Sequence, residues 1–245
     1  NPRFSVDFAK IVNRISQTVD NDSAGIAESY DKNPNIDFYH SSAKFISNKV
    51  IEVGQEQITA DKIFIAVGSR PSIPDIEGLK DTPFMTSTEA LRNTHLPKKM
   101  IVIGGGYIAV ELGYAYAAFG TDVHFLVRSQ FLRGEDSQVV DEFTRIFSQK
   151  QNVHLGAVPI KVEYSNGIFT VTCQNKDKLS KIQADALLVA TGITSNADTL
   201  SLNNTGIQLK PKGLISVDEY LRTAVDGVYA MGDCVGNYFF RHSVN

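Results

Sequence analysis

The sequence has 245 residues, of which 42% are hydrophobic and 21% are charged, and its net charge is −3. This composition is typical of a globular protein with an ordinary hydrophobic core. A weakly acidic chain is not attracted to nucleic acid or to an anionic membrane surface, so neither is expected as a partner. No apolar run in the sequence approaches the length of about 20 residues that crosses a bilayer.

The two cysteines, Cys173 and Cys234, lie far apart and match neither a metal-binding nor a redox-active spacing. The sequence therefore predicts no metal site. Cysteines that are not arranged as a disulfide framework favour a reducing compartment, and a cytoplasmic location is expected.

The chain before residue 60 indicates one helix and one hairpin. Apolar residues recur at helical spacing over residues 6–19, which predicts an amphipathic helix. Residues 43–46 and 49–53 then alternate between apolar and polar side chains on either side of Ser47-Asn48. Alternation around a short polar turn is typical of a β-hairpin.

A nine-residue pattern occurs twice in the chain. Residues 60–68 and residues 184–192 both read Ala-Asp-x, three apolar residues, then Ala-x-Gly. A hairpin precedes each copy, and the second hairpin joins residues 160–164 to residues 168–173 through an Asn-Gly turn whose two positions require positive φ. Each copy is therefore predicted to be a buried strand that follows a β-meander and ends at a glycine.

An α/β run lies between the two copies. Its strands and helices alternate, an order typical of a parallel sheet with helices packed on its faces. The predicted elements are a strand at residues 100–103, a helix at 107–119, a strand at 122–127, a helix at 137–150 and a strand at 153–155. Pro71, Pro74 and Gly78 precede this run and residues 195–202 follow the second copy, so the chain is expected to cross between domains at both places.

A glycine-rich turn joins the first strand of this run to the first helix. Residues 104–109 read Gly-x-Gly-x-x-Ala, a fingerprint of dinucleotide binding when it follows a strand and opens a helix. Gly104 permits a tight turn, Gly106 leaves room for a diphosphate, and Ala109 allows close packing of helix and strand. The free N–H groups at the helix start then stabilise the phosphate charge. Unless the turn is purely structural, its dinucleotide ligands are expected to be Gly104, Gly106, Tyr107, Ile108 and Ala109.

The segment after the second strand bears on which dinucleotide is bound. An NAD site usually has Asp or Glu there, whereas residues 123–134 contain no acid. They contain Arg128, Ser129 and Arg133 instead, and two guanidinium groups can give a 2′-phosphate bidentate, charge-assisted hydrogen bonds. NADP is therefore favoured over NAD, the alternative being that both arginines are ordinary surface charges.

Several motifs occur in the order found in one family of flavoproteins. They are residues 34–35, 65–74, 86–87, 104–111 and 232–233. Together with the repeated Ala-x-Gly strands, they resemble class I pyridine nucleotide-disulfide oxidoreductases, which include glutathione reductase, dihydrolipoamide dehydrogenase and mercuric reductase. The likeness covers nearly the whole chain, and residues 128–133 look most like mycothione reductase.

This resemblance implies an α/β fold made of two related nucleotide-binding domains. A complete Rossmann-like NAD(P)-binding domain, with a parallel sheet and a β-meander, is expected at residues 79–200. It would be inserted into a partial FAD-binding domain made of residues 1–78 and residues 201–245. Two related domains would explain why the nine-residue pattern is repeated.

The resemblance also implies roles for single residues of the NAD(P) domain. Tyr107 matches the aromatic residue that covers the nicotinamide pocket, with an ordinary packed tyrosine as the alternative. Glu111 matches the helix acid that reaches the carboxamide, and Gly192 matches the turn under the nucleotide. Because a carboxylate on an apolar helix is costly to bury unpaired, a polar partner is expected for Glu111.

In the FAD domain the resemblance implies three ligands. Gly68 and Gly232 end their strands, and Asp233 matches the aspartate that hydrogen-bonds the ribityl chain of FAD. An ordinary strand-ending aspartate is the alternative for Asp233. Arg241 and His242 fall where the family chain passes the flavin ring, although a surface position is equally expected for His242.

Motifs that the family uses for redox chemistry are absent from these 245 residues. They are the first FAD glycine motif, the Cys-x4-Cys pair, and a C-terminal dimerisation domain with a catalytic histidine and glutamate. The chain is therefore expected to be a fragment, without catalytic residues, of a homodimeric enzyme. That parent would pass hydride from NADPH to FAD and electrons on to a disulfide or small-molecule substrate. The alternative is a stand-alone module that binds NADP(H) without redox activity.

Overall fold

The computed structural model describes residues 6–236, which divide into two compact units. The first unit holds the described residues up to Gly25 together with Pro71–Gly192. The second holds Ile26–Arg70 together with the described residues from Ile193 onward. Each unit has its own cluster of buried apolar side chains, as expected of separately packed domains.

The described residues contain four α-helices interspersed among sixteen strands. The helices are α1 (Phe8–Asp31), α2 (Ser87–Arg92), α3 (Tyr107–Ala118) and α4 (Ser137–Lys150). The strands are β1 (Ala43–Ser47), β2 (Val50–Val53), β3 (Glu56–Thr59), β4 (Ile63–Ile65), β5 (Ser69–Pro71), β6 (Lys99–Ile103), β7 (Asp122–Val127), β8 (Asn152–Leu155), β9 (Val158–Ser165), β10 (Ile168–Asn175), β11 (Lys178–Ala184), β12 (Ala186–Val189), β13 (Ile193–Ser195), β14 (Leu209–Lys210), β15 (Leu214–Ile215) and β16 (Val228–Ala230).

A four-stranded parallel sheet with the order β12-β6-β7-β8 forms the centre of the first unit. Along β6, Met100 and Val102 belong to one buried cluster, and Ile101 and Ile103 belong to another. All four side chains are buried, because α3 and α4 cover one face of the sheet and β9–β11 cover the other. Burial on both faces explains why this strand reads as an unbroken apolar run.

Strands β9, β10 and β11 form an antiparallel meander. In the turn between β9 and β10, Asn166 has φ 52° and Gly167 has φ 80°, so both central residues adopt the left-handed conformation expected of an Asn-Gly hairpin. Val162, Phe169 and Val171 are buried against the parallel sheet. Since burying a side chain of this size contributes about 1.5–3 kcal/mol, hydrophobic packing is the main interaction that holds the meander in place.

Helix α4 begins after Asp136, whose carboxylate caps the first turn by accepting backbone hydrogen bonds. An aromatic cluster fills the space between this helix and the sheet. Its members are Phe125, Phe131, Phe143 and Phe147. Because Phe131 belongs to the segment that follows β7, the cluster anchors that segment to the core of the first unit.

The second unit contains several small sheets. Strands β1, β2 and β3 form an antiparallel sheet, β4 pairs with β16 in parallel, β5 pairs with β13, and β14 pairs with β15. Ile63 and Ile65 of β4 and Val228 of β16 point into the core of this unit. On the other face of the same pair, the rings of Phe64 and Tyr229 stack with their centroids 5.0 Å apart.

Several elements differ from the expectations drawn from the sequence. Helix α1 extends to Asp31 rather than ending near residue 19, because its second half is mostly polar and exposed and so shows little apolar periodicity. The sequence does not predict β3 or β11, whose exposed and largely polar residues lack the alternation of a half-buried strand. The predicted strands and helices of the α/β run are confirmed to within one residue. The α/β class with a parallel sheet is therefore confirmed.

Candidate dinucleotide-binding site

The turn between β6 and α3 contains Gly104, whose conformation is unusual. Its φ of 138° is one that residues with side chains rarely adopt. A Cβ atom on Gly104 would also overlap the carbonyl oxygen of Ala190, the residue that follows β12. The fold of the first unit therefore requires glycine here. Ala109, in the first turn of α3, is fully buried against the same sheet.

Gly106 differs from Gly104, because nothing among the described residues requires glycine at this position. Its φ of −82° suits any residue, and a Cβ atom built on it has no heavy atom within 4 Å. Gly106 is also the N-cap of α3, and no side chain among residues 6–236 caps this helix. The start of α3 thus combines open space with backbone N–H groups and the positive end of a helix dipole.

The segment after β7 carries the two arginines of the motif. Arg128, Ser129 and Arg133 are all exposed, and Arg133 donates a hydrogen bond of 2.5 Å to the hydroxyl of Ser129. Within the described part of the chain, neither Arg128 nor Arg133 forms an ion pair with an acid. Both guanidinium charges therefore remain accessible to an anionic ligand.

The same segment is packed onto the glycine-rich turn. The backbone N–H of Leu132 donates a 2.7 Å hydrogen bond to the carbonyl oxygen of Gly105, and Leu132 adopts a positive φ of 45°. Phe131 beside it is fully buried. The structure therefore brings the turn after β6 and the segment after β7 together at the carboxyl end of the parallel sheet, where ligands of open α/β sheets bind.

Tyr107 lies at the start of α3, and the residue is 38% exposed. Hydrogen bonding to the Glu135 carboxylate, together with desolvation and the negative charge of Glu135, raises the pKa of Tyr107 above its ordinary value, because these effects favour the protonated phenol. No sequence pattern indicates Glu135, since Tyr107 lies 28 positions earlier in the chain.

Glu111 lies on the exposed side of α3, which corrects one expectation. The sequence predicts a polar partner for this carboxylate, because it would be costly to bury unpaired, whereas its side chain is open to solvent. Water can hydrate an exposed carboxylate, so no burial cost arises and no partner is needed. Ile108, by contrast, is half-buried and packs against the core.

Gly192 follows β12 at the same edge of the sheet. It has φ 122°, and its carbonyl oxygen accepts a 2.9 Å hydrogen bond from the N–H of Ser72. The hydroxyl of Thr191 donates to the carbonyl oxygen of Ser72 at 2.7 Å. These two hydrogen bonds hold the end of the second Ala-x-Gly copy in a fixed turn.

The residues expected to contact FAD lie in the second unit. Gly68 has φ 64° and Gly232 has φ 75°, so both occupy the left-handed region that favours glycine. Asp233 accepts a 2.6 Å hydrogen bond from the hydroxyl of Ser69 through one carboxylate oxygen. Arg241 and His242 lie outside the described residues.

Both cysteines are free and buried. Burial raises the pKa of the Cys173 thiol to about 11. Among residues 6–236 there is no group of three or more His, Cys, Asp or Glu side chains placed to hold a metal ion. In the same range no helix has the length and apolar character needed to span a membrane.

Comparison with known sequences gives matches over most of the chain. The family model described as Pyridine nucleotide-disulphide oxidoreductase matches residues 4–244. The mercuric reductase of Shigella flexneri is 38% identical over 212 residues, which make up 82% of this chain and 37% of that reductase. The mercuric reductase of Staphylococcus aureus is 35% identical over 201 residues, or 80% of this chain and 36% of that protein.

A solved structure matches nearly the whole chain. The HOCl-induced flavoprotein disulfide reductase RclA from Escherichia coli superposes with a TM-score of 0.87 at 30% identity, covering 98% of this chain and 55% of that one. Its Cu(II) complex gives the same values. The chain therefore spans between 36% and 55% of the length of these relatives. Since the family model covers almost every residue, the chain belongs to the pyridine nucleotide-disulphide oxidoreductase family.

Proposed function

We propose that the chain is the nicotinamide-dinucleotide-binding core of an FAD-dependent disulfide oxidoreductase. The dinucleotide would bind at the turn between β6 and α3, within the domain expected at residues 79–200. Its ligands would be Gly104, Gly106, Tyr107, Ile108, Ala109, Glu111, Arg128, Ser129, Arg133 and Gly192. Membership of the family supports an oxidoreductase parent.

The observation that carries this proposal is the environment of Gly106. Glycine is explained at Gly104 by backbone conformation and by contact with Ala190, but neither reason applies to Gly106. A bound diphosphate supplies the missing reason, because its oxygens approach the helix start most closely where no Cβ intervenes. The residues at this turn therefore fit a dinucleotide.

NADP is proposed over NAD because of the charges on the segment after β7. Arg128 and Arg133 are exposed and the hydrogen bond between Arg133 and Ser129 connects two of the three predicted ligands of the 2′-phosphate. A guanidinium group can bind a phosphate through two parallel hydrogen bonds, which an uncharged ribose hydroxyl cannot match. A 2′-phosphate should therefore gain more from this segment than a 2′-hydroxyl.

The second unit is proposed to contribute to FAD binding in the intact parent. Gly68, Gly232 and Asp233 would be its ligands. Within residues 6–236, the carboxylate of Asp233 has one oxygen bonded to Ser69, and its other oxygen accepts no hydrogen bond. That second oxygen suits a ligand hydroxyl, so this site fits a polyol chain.

The parent is proposed to be a cytoplasmic homodimer that acts on a disulfide or small-molecule substrate. When bound, the nicotinamide supplies a hydride and the flavin accepts it, while the protein contributes binding and orientation. Because these 245 residues lack a closely spaced cysteine pair, the chain by itself should bind NADPH without turnover. The specific likeness to mycothione reductase also stays a proposal.

Calorimetric titration with NADPH and with NADH tests the proposal. Arg128→Ala should weaken NADPH binding about 10- to 150-fold, since a hydrogen bond to a charged group contributes about 1.5–3 kcal/mol, and should leave NADH binding nearly unchanged. Arg145→Ala is the matched control, because it removes the same charge from the exposed side of α4. Absence of binding of both dinucleotides would refute the proposal, and equal affinity for both would refute the preference for NADP.

A further inference from the structure

The dinucleotide fingerprint does not explain the middle glycine of the turn, Gly105. The pattern Gly-x-Gly leaves this position open to any residue. Gly105 also has no positive φ, so its backbone conformation does not require glycine. The reason for a glycine here therefore lies in the atoms that surround it.

The segment after β7 lies directly against Gly105. The atoms nearest to a Cβ built on Gly105 would be Cγ1 of Val127 at 2.9 Å, the carbonyl oxygen of Gln130 at 3.1 Å and Cα of Phe131 at 3.5 Å. Two carbon atoms are in optimal contact at about 3.5–4.0 Å, so the contact with Val127 would be a steric overlap. The segment could not keep its position if residue 105 had a side chain.

Two anchors fix the segment in this position. The backbone N–H of Leu132 donates a 2.7 Å hydrogen bond to the carbonyl oxygen of Gly105 itself. Phe131 is fully buried, and its ring centroid is 5.3 Å from that of Phe147 on α4. Leu132 has a positive φ of 45°, which a residue with a side chain keeps only where its surroundings hold it. A side chain at position 105 would therefore have to displace an anchored segment.

The arginines proposed to bind the 2′-phosphate lie beside these contacts. Arg128 directly follows Val127, and Arg133 directly follows Leu132. Bidentate binding of a phosphate by a guanidinium group depends on distance and orientation. Displacement of the segment would therefore move both guanidinium groups, whereas the helix start at Gly106, where the diphosphate would bind, would stay in place.

We propose that Gly105 determines the coenzyme preference of the site, because it lets the segment after β7 pack closely enough for Arg128 and Arg133 to reach a 2′-phosphate. This inference rests on the proposed function, since it assumes a dinucleotide at the turn between β6 and α3. Gly105 acts through the segment and is therefore a positioning residue. Its substitution affects the preference between NADPH and NADH and not the binding of the diphosphate that both contain.

Calorimetric titration of Gly105→Ala with NADPH and with NADH tests this inference. NADPH binding should weaken about 5- to 50-fold, because two charge-assisted interactions are distorted without being removed. NADH binding should change less than about threefold, since the helix start is not altered. Gly106→Ala is the matched comparison, because the same methyl group one residue later should weaken the binding of both dinucleotides to the same extent.

A second variant restores the space that the methyl group takes. The atom nearest to the new Cβ would be Cγ1 of Val127, so Gly105→Ala combined with Val127→Ala has room for the added methyl group. This double variant should recover at least about twofold of the lost NADPH affinity, since substitutions at residues in contact are not additive. Thermal unfolding of each variant without ligand measures its stability separately from binding.

The possible results separate this inference from the proposed function. If Gly105→Ala weakens the binding of NADPH and NADH equally, or changes neither, the inference is refuted and the proposed function stands. A double variant that binds NADPH no better than Gly105→Ala would also refute it. If Gly105→Ala does not fold, the double variant is compared with Val127→Ala, and an unchanged ratio of the two affinities overturns the inference. If the unaltered chain binds neither dinucleotide, the proposed function itself is refuted.

Discussion

Gly104→Ala should destabilise the fold, whereas Gly106→Ala should leave the fold stable and weaken dinucleotide binding. In Gly104→Ala, a φ of 138° strains the backbone by about 1–3 kcal/mol, and overlap with the Ala190 carbonyl adds about 1–3 kcal/mol. A loss of about 3 kcal/mol corresponds to a decrease in melting temperature of roughly 6–12 °C for a domain of 150–250 residues. Gly104→Ala should therefore destabilise the first unit.

Gly106→Ala should fold normally. Alanine is a poorer N-cap than glycine, by roughly 0.5–1 kcal/mol, but it lowers the entropy of the unfolded chain by a similar amount. A Cβ on Gly106 meets nothing within 4 Å, so no clash is added and the melting temperature should change by less than about 3 °C. The same Cβ would stand where a diphosphate approaches, and crowding of about 1–3 kcal/mol should weaken NADPH binding about 5- to 150-fold.

Thermal unfolding and calorimetric titration of the two variants provide the assay. Gly25→Ala is the control, because Gly25 lies within α1 with open space around it, and alanine there should only stabilise the helix. A Gly106→Ala protein that binds NADPH as tightly as the unaltered chain would refute the argument from open space. A Gly106→Ala protein that fails to fold would show that the turn has packing constraints not apparent in its geometry.

The buried titratable side chains give two further predictions. Burial raises the pKa of Cys173 to about 11, and both cysteines are buried. At about pH 8 the native protein should therefore react with a disulfide reagent only after unfolding. Rapid labelling of Cys173 or Cys234 before unfolding would contradict this. The pKa of His154 is lowered below 6.5 by burial and then by the nearby charges of His124 and Lys99. The unfolded chain therefore binds a proton at His154 more tightly than the folded protein does. The free energy of unfolding should fall as the pH decreases through about 6.5. Denaturant unfolding at several pH values should show that His154→Gln reduces this pH dependence.

The order of strands and helices in the first unit could be predicted because hydrophobic patterning is a local signal. β6 and β12 are buried on both faces, so each reads as an unbroken apolar run that is followed by a glycine within three residues. The Asn166-Gly167 turn was also readable, because its two positive φ angles demand particular residues. Where one residue type determines the backbone, the sequence is informative.

What depends on distant contacts could not be predicted. β3 and β11 complete their sheets through backbone hydrogen bonds, which any side chain permits, so their sequences carry little pattern. The exposure of Glu111 depends on which side of α3 faces the sheet. The effect of Glu135 on the pKa of Tyr107 depends on how the segment after β7 folds back on the turn, a tertiary feature for which neither residue gives a local signal.

The fold constrains Gly104 through its contact with Ala190, whereas the exposed residues of the segment after β7 can be replaced. Gly104 lies against the backbone carbonyl of Ala190, so a side chain at position 104 would require the second Ala-x-Gly copy to shift. Arg128, Ser129 and Arg133 are exposed on a segment whose anchors are Phe131 and the Leu132 backbone. Under the proposed preference for NADP, exchange of these three exposed side chains alone should alter the coenzyme preference, and the rest of the domain should fold unchanged.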